Sequence, residues 1–137
     1  MAGYSGTPLA KKLGIREFSR LTLLSAPADF AATLVPLPEG ARVLRGARKR
    51  VDVVLFFARR RLELQTAIDS LPGRIEPDGG LWIAWPKKAS GVATDLSFDV
   101  VQAIGLGAGL VDNKICAVDE VWSGLRFVHR LADRGAL

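Results

Sequence analysis

The residues best suited to chemistry in this chain lie in one short segment, which follows an aromatic β-type run and a proline. Lys87 and Lys88 supply positive charge, Ser90 and Thr94 supply hydroxyl groups, and Gly91 allows close approach of the backbone to a ligand. The segment leads into an expected helix, whose first amides lack partners within the helix. These residue types favour an anion-binding loop, although exposed lysines and a capping threonine are also typical of an ordinary loop between a strand and a helix.

Three consecutive arginines open the preceding expected helix: Arg59, Arg60 and Arg61. Cations at a helix start oppose the helix dipole, so something is expected to offset their cost. One interpretation is that a phosphate or an acidic partner binds them at the same edge as Lys87 and Lys88. The other is that the arginine stems cover apolar surface while the charged heads remain in water.

No residue pattern indicates a metal site or a nucleophilic catalyst. The chain has one histidine, His129, and one cysteine, Cys116, without further ligands at metal-binding spacing. Its serines lack the pattern of a nucleophile elbow. The sequence therefore predicts no catalytic residues and no metal ligands, and it leaves the identity of any cofactor open.

Length and composition indicate one compact α/β unit. The 137 residues, 49% of them hydrophobic, suffice for a single domain spanning residues 1–137. No apolar run approaches the roughly 20 residues that a membrane-spanning helix needs, and the first residues do not resemble a secretory signal. We therefore expect a cytoplasmic protein without membrane contact, and the oligomeric state is left open.

The formal net charge of +5 favours anionic partners. Much of the positive charge falls in residues 42–61, from Arg42 to Arg61, and this stretch is a candidate nucleic-acid interface. Its only aromatic residues, Phe56 and Phe57, belong to an expected buried strand, so base stacking has little support there.

The elements that must position these residues alternate along the chain. Strands are expected at residues 20–25, 51–57, 81–85, 114–121 and 125–129, and helices at 8–13, 30–34, 59–71 and 95–105. This order predicts a small three-layer α/β sandwich with a mainly parallel sheet and a C-terminal antiparallel hairpin. Ligands of such sheets bind at the carboxyl ends of the strands, so the loops 25–29, 58–61 and 86–95 are expected to converge.

Two stretches resemble half of a class I S-adenosylmethionine-dependent methyltransferase, from its fourth strand to its fifth. They are Val51-Asp-Val-Val-Leu-Phe-Phe and Ile75-Glu-Pro-Asp-Gly-Gly-Leu-Trp-Ile-Ala. The resemblance implies a Rossmann-like architecture. Those enzymes hold their cofactor with a glycine-rich turn after the first strand and an acid after the second, whereas here the first strand is followed by Ser25-Ala-Pro-Ala-Asp29.

The whole chain is also similar to a family of small bacterial proteins classed as a domain of unknown function. The shared motifs are Leu81-Trp-Ile-Ala-Trp-Pro-Lys-Lys-Ala-Ser-Gly and Val118-Asp-Glu-Val-Trp-Ser-Gly-Leu-Arg-Phe. This resemblance implies no particular activity.

Three hypotheses about function follow. The leading one is a non-catalytic intracellular module that binds an anionic small molecule or an acidic protein surface at loop 86–95, with support from Arg59, Arg60 and Arg61. The alternative is an enzyme, either a reduced methyltransferase-like protein or another transferase. The third is nucleic-acid binding through residues 42–61.

Overall fold

A computed structural model describes residues 7–45 and 50–136. They form one six-stranded sheet with the strand order β2-β1-β3-β4-β6-β5. The strands are β1 (Arg20–Leu24), β2 (Arg42–Val43), β3 (Val51–Phe57), β4 (Ile75–Pro86), β5 (Leu110–Ala117) and β6 (Trp122–His129). The α-helices are α1 (Leu9–Lys12), α2 (Arg61–Ala67), α3 (Phe98–Gly107) and α4 (Leu131–Arg134), and 3-10 helices span Phe30–Leu34, Pro72–Arg74 and Lys88–Ser90.

The sheet is mainly parallel, as predicted. Strand β1 pairs in parallel with β2 and β3, and β3 pairs in parallel with β4. Strand β6 pairs antiparallel with both β4 and β5, so it alone among these strands runs in the opposite direction. The mixed α/β fold class and the C-terminal antiparallel hairpin are confirmed.

The two faces of the sheet bury separate hydrophobic clusters because successive strand residues point to opposite faces. On one face, Val54 and Phe56 pack in the cluster that contains Leu64 of α2 and Val101 of α3. The opposite face carries a second cluster, formed with α1 and the 3-10 helix Phe30–Leu34. Six of the seven residues of β3 are buried, and Asp52 is the exception, as expected for a strand covered on both faces.

The tryptophans follow the same alternation. Trp82 is fully buried in the cluster on the α1 side, where its indole Nε1 donates to the carbonyl oxygen of Leu13 at 2.9 Å. Trp85 is buried in the cluster on the α2 side. The prediction that these two side chains point to opposite faces is therefore correct.

Several predicted boundaries were wrong. Strand β2 was not predicted, because a pair of residues is too short to show a period. Residues 77–80, expected to be a turn, lie within β4, where the pairing register with β3 shifts between Val51 and Val53. The expected turn at Trp122-Ser-Gly belongs to β6, and the loop instead spans residues 118–121.

The two ends of the strands define two edges of the sheet. We call the side where β1 to β5 end the carboxyl edge, and the loops that leave these strands lie there. We call the opposite side the amino edge, where β1, β3 and β4 begin and where β6 ends at His129.

Candidate functional site

Two of the three predicted loops are joined at the carboxyl edge. The hydroxyl of Thr94 donates to the carbonyl oxygen of Arg59 at 2.5 Å, and the amide of Arg61 donates to the carboxylate of Asp95 at 2.6 Å. These two loops therefore meet, as expected for loops that leave the carboxyl ends of neighbouring parallel strands. Their binding of a ligand stays a prediction.

Most polar groups of loop 86–95 already have partners within the protein. The ammonium of Lys87 donates to the carbonyl oxygen of Asp119 at 2.6 Å. The hydroxyl of Ser90 donates to the carbonyl oxygen of Lys87 and accepts the amide of Val92, at 2.6 and 3.1 Å. Gly91 has a φ of 76°, a left-handed conformation that favours glycine and that ends the 3-10 helix here. Lys88 is exposed.

The arginine triplet is also used in building the edge. The guanidinium of Arg59 lies 5.0 Å from the centre of the Trp122 ring. The amides of Arg59 and Arg60 donate to one carboxylate oxygen of Glu63, at 2.8 and 3.1 Å. These two hydrogen bonds lower the pKa of Glu63, because they stabilise its charged form. The side chains of Arg60 and Arg61 are exposed.

The start of α3 differs from the prediction that Thr94 or Asp95 caps it. Ser97 is the N-cap, and its hydroxyl accepts the amide of Val100 at 3.3 Å. Thr94 instead accepts the amide of Leu96, and Asp95 accepts the first amide of α2. Because the amide of Val100 already has a partner, this helix start is less available to an anion than the sequence suggested.

The arginines of residues 42–61 do not form one surface. Arg42 begins β2 and Arg50 precedes β3, so both lie at the amino edge. Arg59, Arg60 and Arg61 follow β3 at the carboxyl edge, and Arg48 and Lys49 fall outside the described residues. This separation gives the nucleic-acid hypothesis no support, and binding of nucleic acid stays a prediction.

A cleft opens at the exits of β1 and β2 and is lined in part by the predicted loop 25–29. Its volume is about 360 Å³, within the usual size range of small-molecule sites. Most of its lining residues have apolar side chains, although polar atoms supply at least as much of the exposed lining as apolar atoms do. The lining comes from the turn after β1, the 3-10 helix Phe30–Leu34 and the end of β2, and it includes Ala26, Pro27, Ala28, Ala31, Val43 and Arg45. The sequence signal was weak because alanine and proline carry no functional groups.

The backbone turns sharply where β1 enters this cleft. Ser25 has a φ of 57°, in the left-handed region that residues with a side chain seldom occupy. The crossover from β1 leads to β2 on one side, whereas β3 lies on the other side of β1. Such reversals of strand order mark the usual ligand sites of open α/β sheets, so the cleft lies beside the expected position.

No protein-family model and no curated protein matches this chain. Similarity to the bacterial family of unknown function therefore stays a prediction. Solved structures do share the fold, however, and many of them are methyltransferases.

A SAM-dependent methyltransferase from Aquifex aeolicus has a TM-score of 0.62 at 14% identity, covering 87% of this chain and 86% of its own. A methyltransferase from Pyrococcus furiosus has a TM-score of 0.59 at 11% identity, covering 87% and 78%. Magnesium protoporphyrin IX methyltransferase from Synechocystis PCC 6803, solved with bound SAH, has a TM-score of 0.53 at 11% identity, covering 89% and 78%. At these identities the likeness shows the fold, which confirms the predicted Rossmann-like architecture.

These neighbours correct the leading hypothesis. A non-catalytic module that binds anions at loop 86–95 is the wrong interpretation, since the fold is shared with methyltransferases throughout nearly the whole chain. The residue types suggested a ligand site, but the hydrogen bonds of Lys87, Ser90 and Thr94 stabilise the loop itself. The alternative, a reduced methyltransferase-like or other transferase, is better supported.

The described residues do not reproduce the cradle by which methyltransferases hold S-adenosylmethionine. The turn after β1 contains Ala26, Pro27 and Ala28 in place of glycines, and Pro27 has no amide hydrogen to donate. The residues after β2 are Leu44 and Arg45, without a carboxylate for the ribose hydroxyls. We therefore assign no methyl-transfer step to residues of this chain.

Two further features follow from the described part of the chain. None of its helices is long and apolar enough to cross a membrane. Within residues 7–45 and 50–136, His, Cys, Asp and Glu side chains form no group of three that could hold a metal ion. A cytoplasmic location stays a prediction.

Proposed function

We propose that this protein is a reduced methyltransferase-like transferase whose group donor binds in the cleft at the exits of β1 and β2. The order and direction of the strands support the proposal most directly. Five strands run in one direction, and β6 enters antiparallel in the second position from one end of the sheet. The cleft lies beside the position where folds of this kind bind their ligands.

The chemistry of the cleft supports a donor with a flat apolar part. Ala28, Ala31 and Val43 have small or branched apolar side chains, which can contact an apolar ring of a donor. Arg45 adds a cation at the position after β2. A cation there attracts a donor that carries negative charge, so the transferred group need not be methyl.

The experiment is a calorimetric titration of the protein with S-adenosylmethionine, S-adenosylhomocysteine and acetyl-coenzyme A. Ala31 lines the cleft, whereas the adjacent Ala32 is exposed and does not. Ala31→Trp therefore fills the cleft, and Ala32→Trp is the matched control with the same added ring. We expect saturable binding of at least one donor, its loss in Ala31→Trp and its retention in Ala32→Trp.

The identity of the bound donor defines the reaction class. Binding of S-adenosylmethionine would make the protein a methyltransferase with an altered cradle, and binding of acetyl-coenzyme A alone would make it a transferase of another group. Absence of binding by all three donors would contradict the proposal. Equal affinity in Ala31→Trp and the wild type would contradict the position of the site.

A further inference from the structure

A second cavity in the described part of the chain lies at the amino edge, away from the cleft just described. Its volume is about 760 Å³, and it opens between the segment that follows α1 and the middle of β5 and β6. Its cationic lining residues are Lys12, Arg16, Lys114 and Arg126, and Asp52 and Asp78 are among its acidic ones. The proposed function does not use this cavity.

Arg126 lies inside this pocket because a neighbouring residue has no side chain. A Cβ atom at Gly80 would lie 2.5 Å from the Nε of Arg126, so the guanidinium occupies the space that glycine leaves open. It donates one side-chain hydrogen bond, from Nη1 to the Oδ1 of Asn113 at 3.3 Å. No carboxylate of residues 7–45 or 50–136 forms a salt bridge with it.

The surroundings of Arg126 are unfavourable for its charge. Burial lowers its pKa, and the positive charges of Arg16 and Arg134 lower the pKa further. A guanidinium that is half-buried among cations has lost part of its hydration without gaining an opposite charge. Such a group is stabilised when an anion enters the pocket.

Arg20 lies at the same edge and, unlike Arg126, has carboxylate partners. Its guanidinium lies 2.8 Å from the carboxylate of Glu76 and 3.4 Å from that of Asp52. Hydrogen bonds to Glu76 and then Asp52 raise its pKa. Carboxylates are therefore present at this edge and pair with Arg20. Among the described residues, Arg126 forms no such pair because of its own position in the pocket.

Two further cations and one aromatic ring complete the pocket. Arg16 is exposed at its rim, and the ammonium of Lys114 donates to the carbonyl oxygen of Lys12 at 3.0 Å, which leaves it further donor hydrogens. Phe18 lines the same cavity with 66% of its surface exposed, and its φ of 63° is left-handed. Strained residues of this kind are found preferentially at ligand sites.

We propose that this amino-edge pocket binds a phosphate-bearing small molecule through Arg126, Arg16 and Lys114. Arginine forks match the oxygens of a phosphate, and an ammonium adds charge from a third direction. The cavity is larger than one phosphate group requires, and the exposed ring of Phe18 offers an apolar face to the organic part. A nucleoside monophosphate has both components.

The first test is calorimetric titration with AMP, ribose 5-phosphate, inorganic phosphate and adenosine. We expect the three phosphate-bearing probes to bind, AMP most tightly, and adenosine not to bind. Arg126→Met should weaken AMP by about tenfold or more, the factor that one charge-assisted hydrogen bond represents. Arg130→Gln removes the same charge from an exposed residue outside the pocket and should leave the affinity within about twofold. Absence of phosphate binding, or an equal loss in both variants, would overturn the proposal.

A second test needs no ligand. Arg126→Met keeps an apolar stem and removes a charge without a carboxylate partner, so the melting temperature of the free protein should rise or stay unchanged. The matched variant Arg20→Met breaks two ion pairs at the same edge and should lower it. A fall in Arg126→Met as large as that in Arg20→Met would contradict the claim that Arg126 lacks a partner. Because Ala31→Trp alters only the cleft at the other edge, failure of either proposal is distinguishable from failure of the other.

Discussion

The carboxyl and amino edges of this sheet carry similar cations in opposite circumstances. At the carboxyl edge, Arg59 lies over the Trp122 ring and Lys87 donates to the carbonyl oxygen of Asp119, so their charged groups hold loops together. At the amino edge, Arg126 is half-buried in a pocket, where it donates one long hydrogen bond and forms no salt bridge with a carboxylate of the described residues. We therefore take a missing internal partner, more than the presence of a cation, as the reason to propose a binding site.

At the carboxyl edge, the lysines of loop 86–95 do not line the cleft. The cleft that we propose for a group donor is lined mainly by alanines and branched side chains, and it lies beside the exits of β1 and β2. Lys87 and Lys88 follow β4, and the ammonium of Lys87 donates to the carbonyl oxygen of Asp119. The donor cleft that we propose therefore lies at the same edge as these lysines but beside a different loop.

The largest expected effect follows from removing the ring that Arg59 covers. Trp122 is 3% exposed and its ring meets that of Phe57 edge to face at 4.9 Å. Trp122→Ala should lower the free energy of unfolding by about 3–5 kcal/mol, as measured by urea denaturation, because a large aromatic side chain leaves a cavity. Trp122→Phe is the control that retains an aromatic contact and should lose less. A loss of only about 0.5 kcal/mol in Trp122→Ala, the size of an ordinary surface effect, would mean that the ring does not organise this edge.

A smaller effect is expected where the two loops of the carboxyl edge are joined. Asp95→Ala removes the acceptor for the amide of Arg61 and should cost about 1 kcal/mol, the usual value for a lost helix cap. Asp95→Asn keeps an acceptor oxygen and should retain most of the stability. Urea denaturation of both variants checks this, and equal losses would assign the effect to charge instead of to the hydrogen bond.

The smallest expected effect concerns Glu63 and depends on pH. The amides of Arg59 and Arg60 hold the pKa of Glu63 below its ordinary value of 4.5. A carboxylate with a lowered pKa stabilises the folded state above the ordinary pKa and loses this contribution as the pH falls through the folded pKa. Glu63→Ala should therefore be less stable than the wild type at pH 7 by about 0.5 kcal/mol.

That difference should shrink as the pH falls below 4.5, the ordinary pKa of the group. Glu63 is exposed, so solvent screens part of the electrostatic contribution. Chemical denaturation at several pH values measures the trend. A difference that grows toward acid would reverse the sign of the linkage and contradict the assigned hydrogen bonds.

The sequence predicted the parts of the fold that depend on pattern. The nearly continuous apolar run of β3 indicated a central strand, and the alternation of Trp82 and Trp85 indicated opposite faces. The turn chemistry of residues 77–80 was misleading, because β3 pairs with Ile75 and Gly80 on either side of the register shift, which keeps Pro77 and its neighbours within β4.

The sites were harder to predict than the strands. In the sequence, Arg126 resembles an ordinary exposed strand residue. Its position in the pocket depends on the absence of a side chain at Gly80, forty-six residues earlier in the chain. The donor cleft depends on residues around β1 meeting the end of the two-residue strand β2. Long-range packing of this kind leaves no periodic signal along the chain.

The most direct test of the transferase assignment is a map of backbone amide chemical-shift changes while S-adenosylmethionine and then acetyl-coenzyme A are added to the isotope-labelled protein. Our account predicts that one of these donors shifts the amides of residues 25, 26, 28–31 and 43–45 at the carboxyl edge. Unchanged amides at these positions with both donors, or changes confined to residues such as 16–18 and 126 at the amino edge, would contradict it.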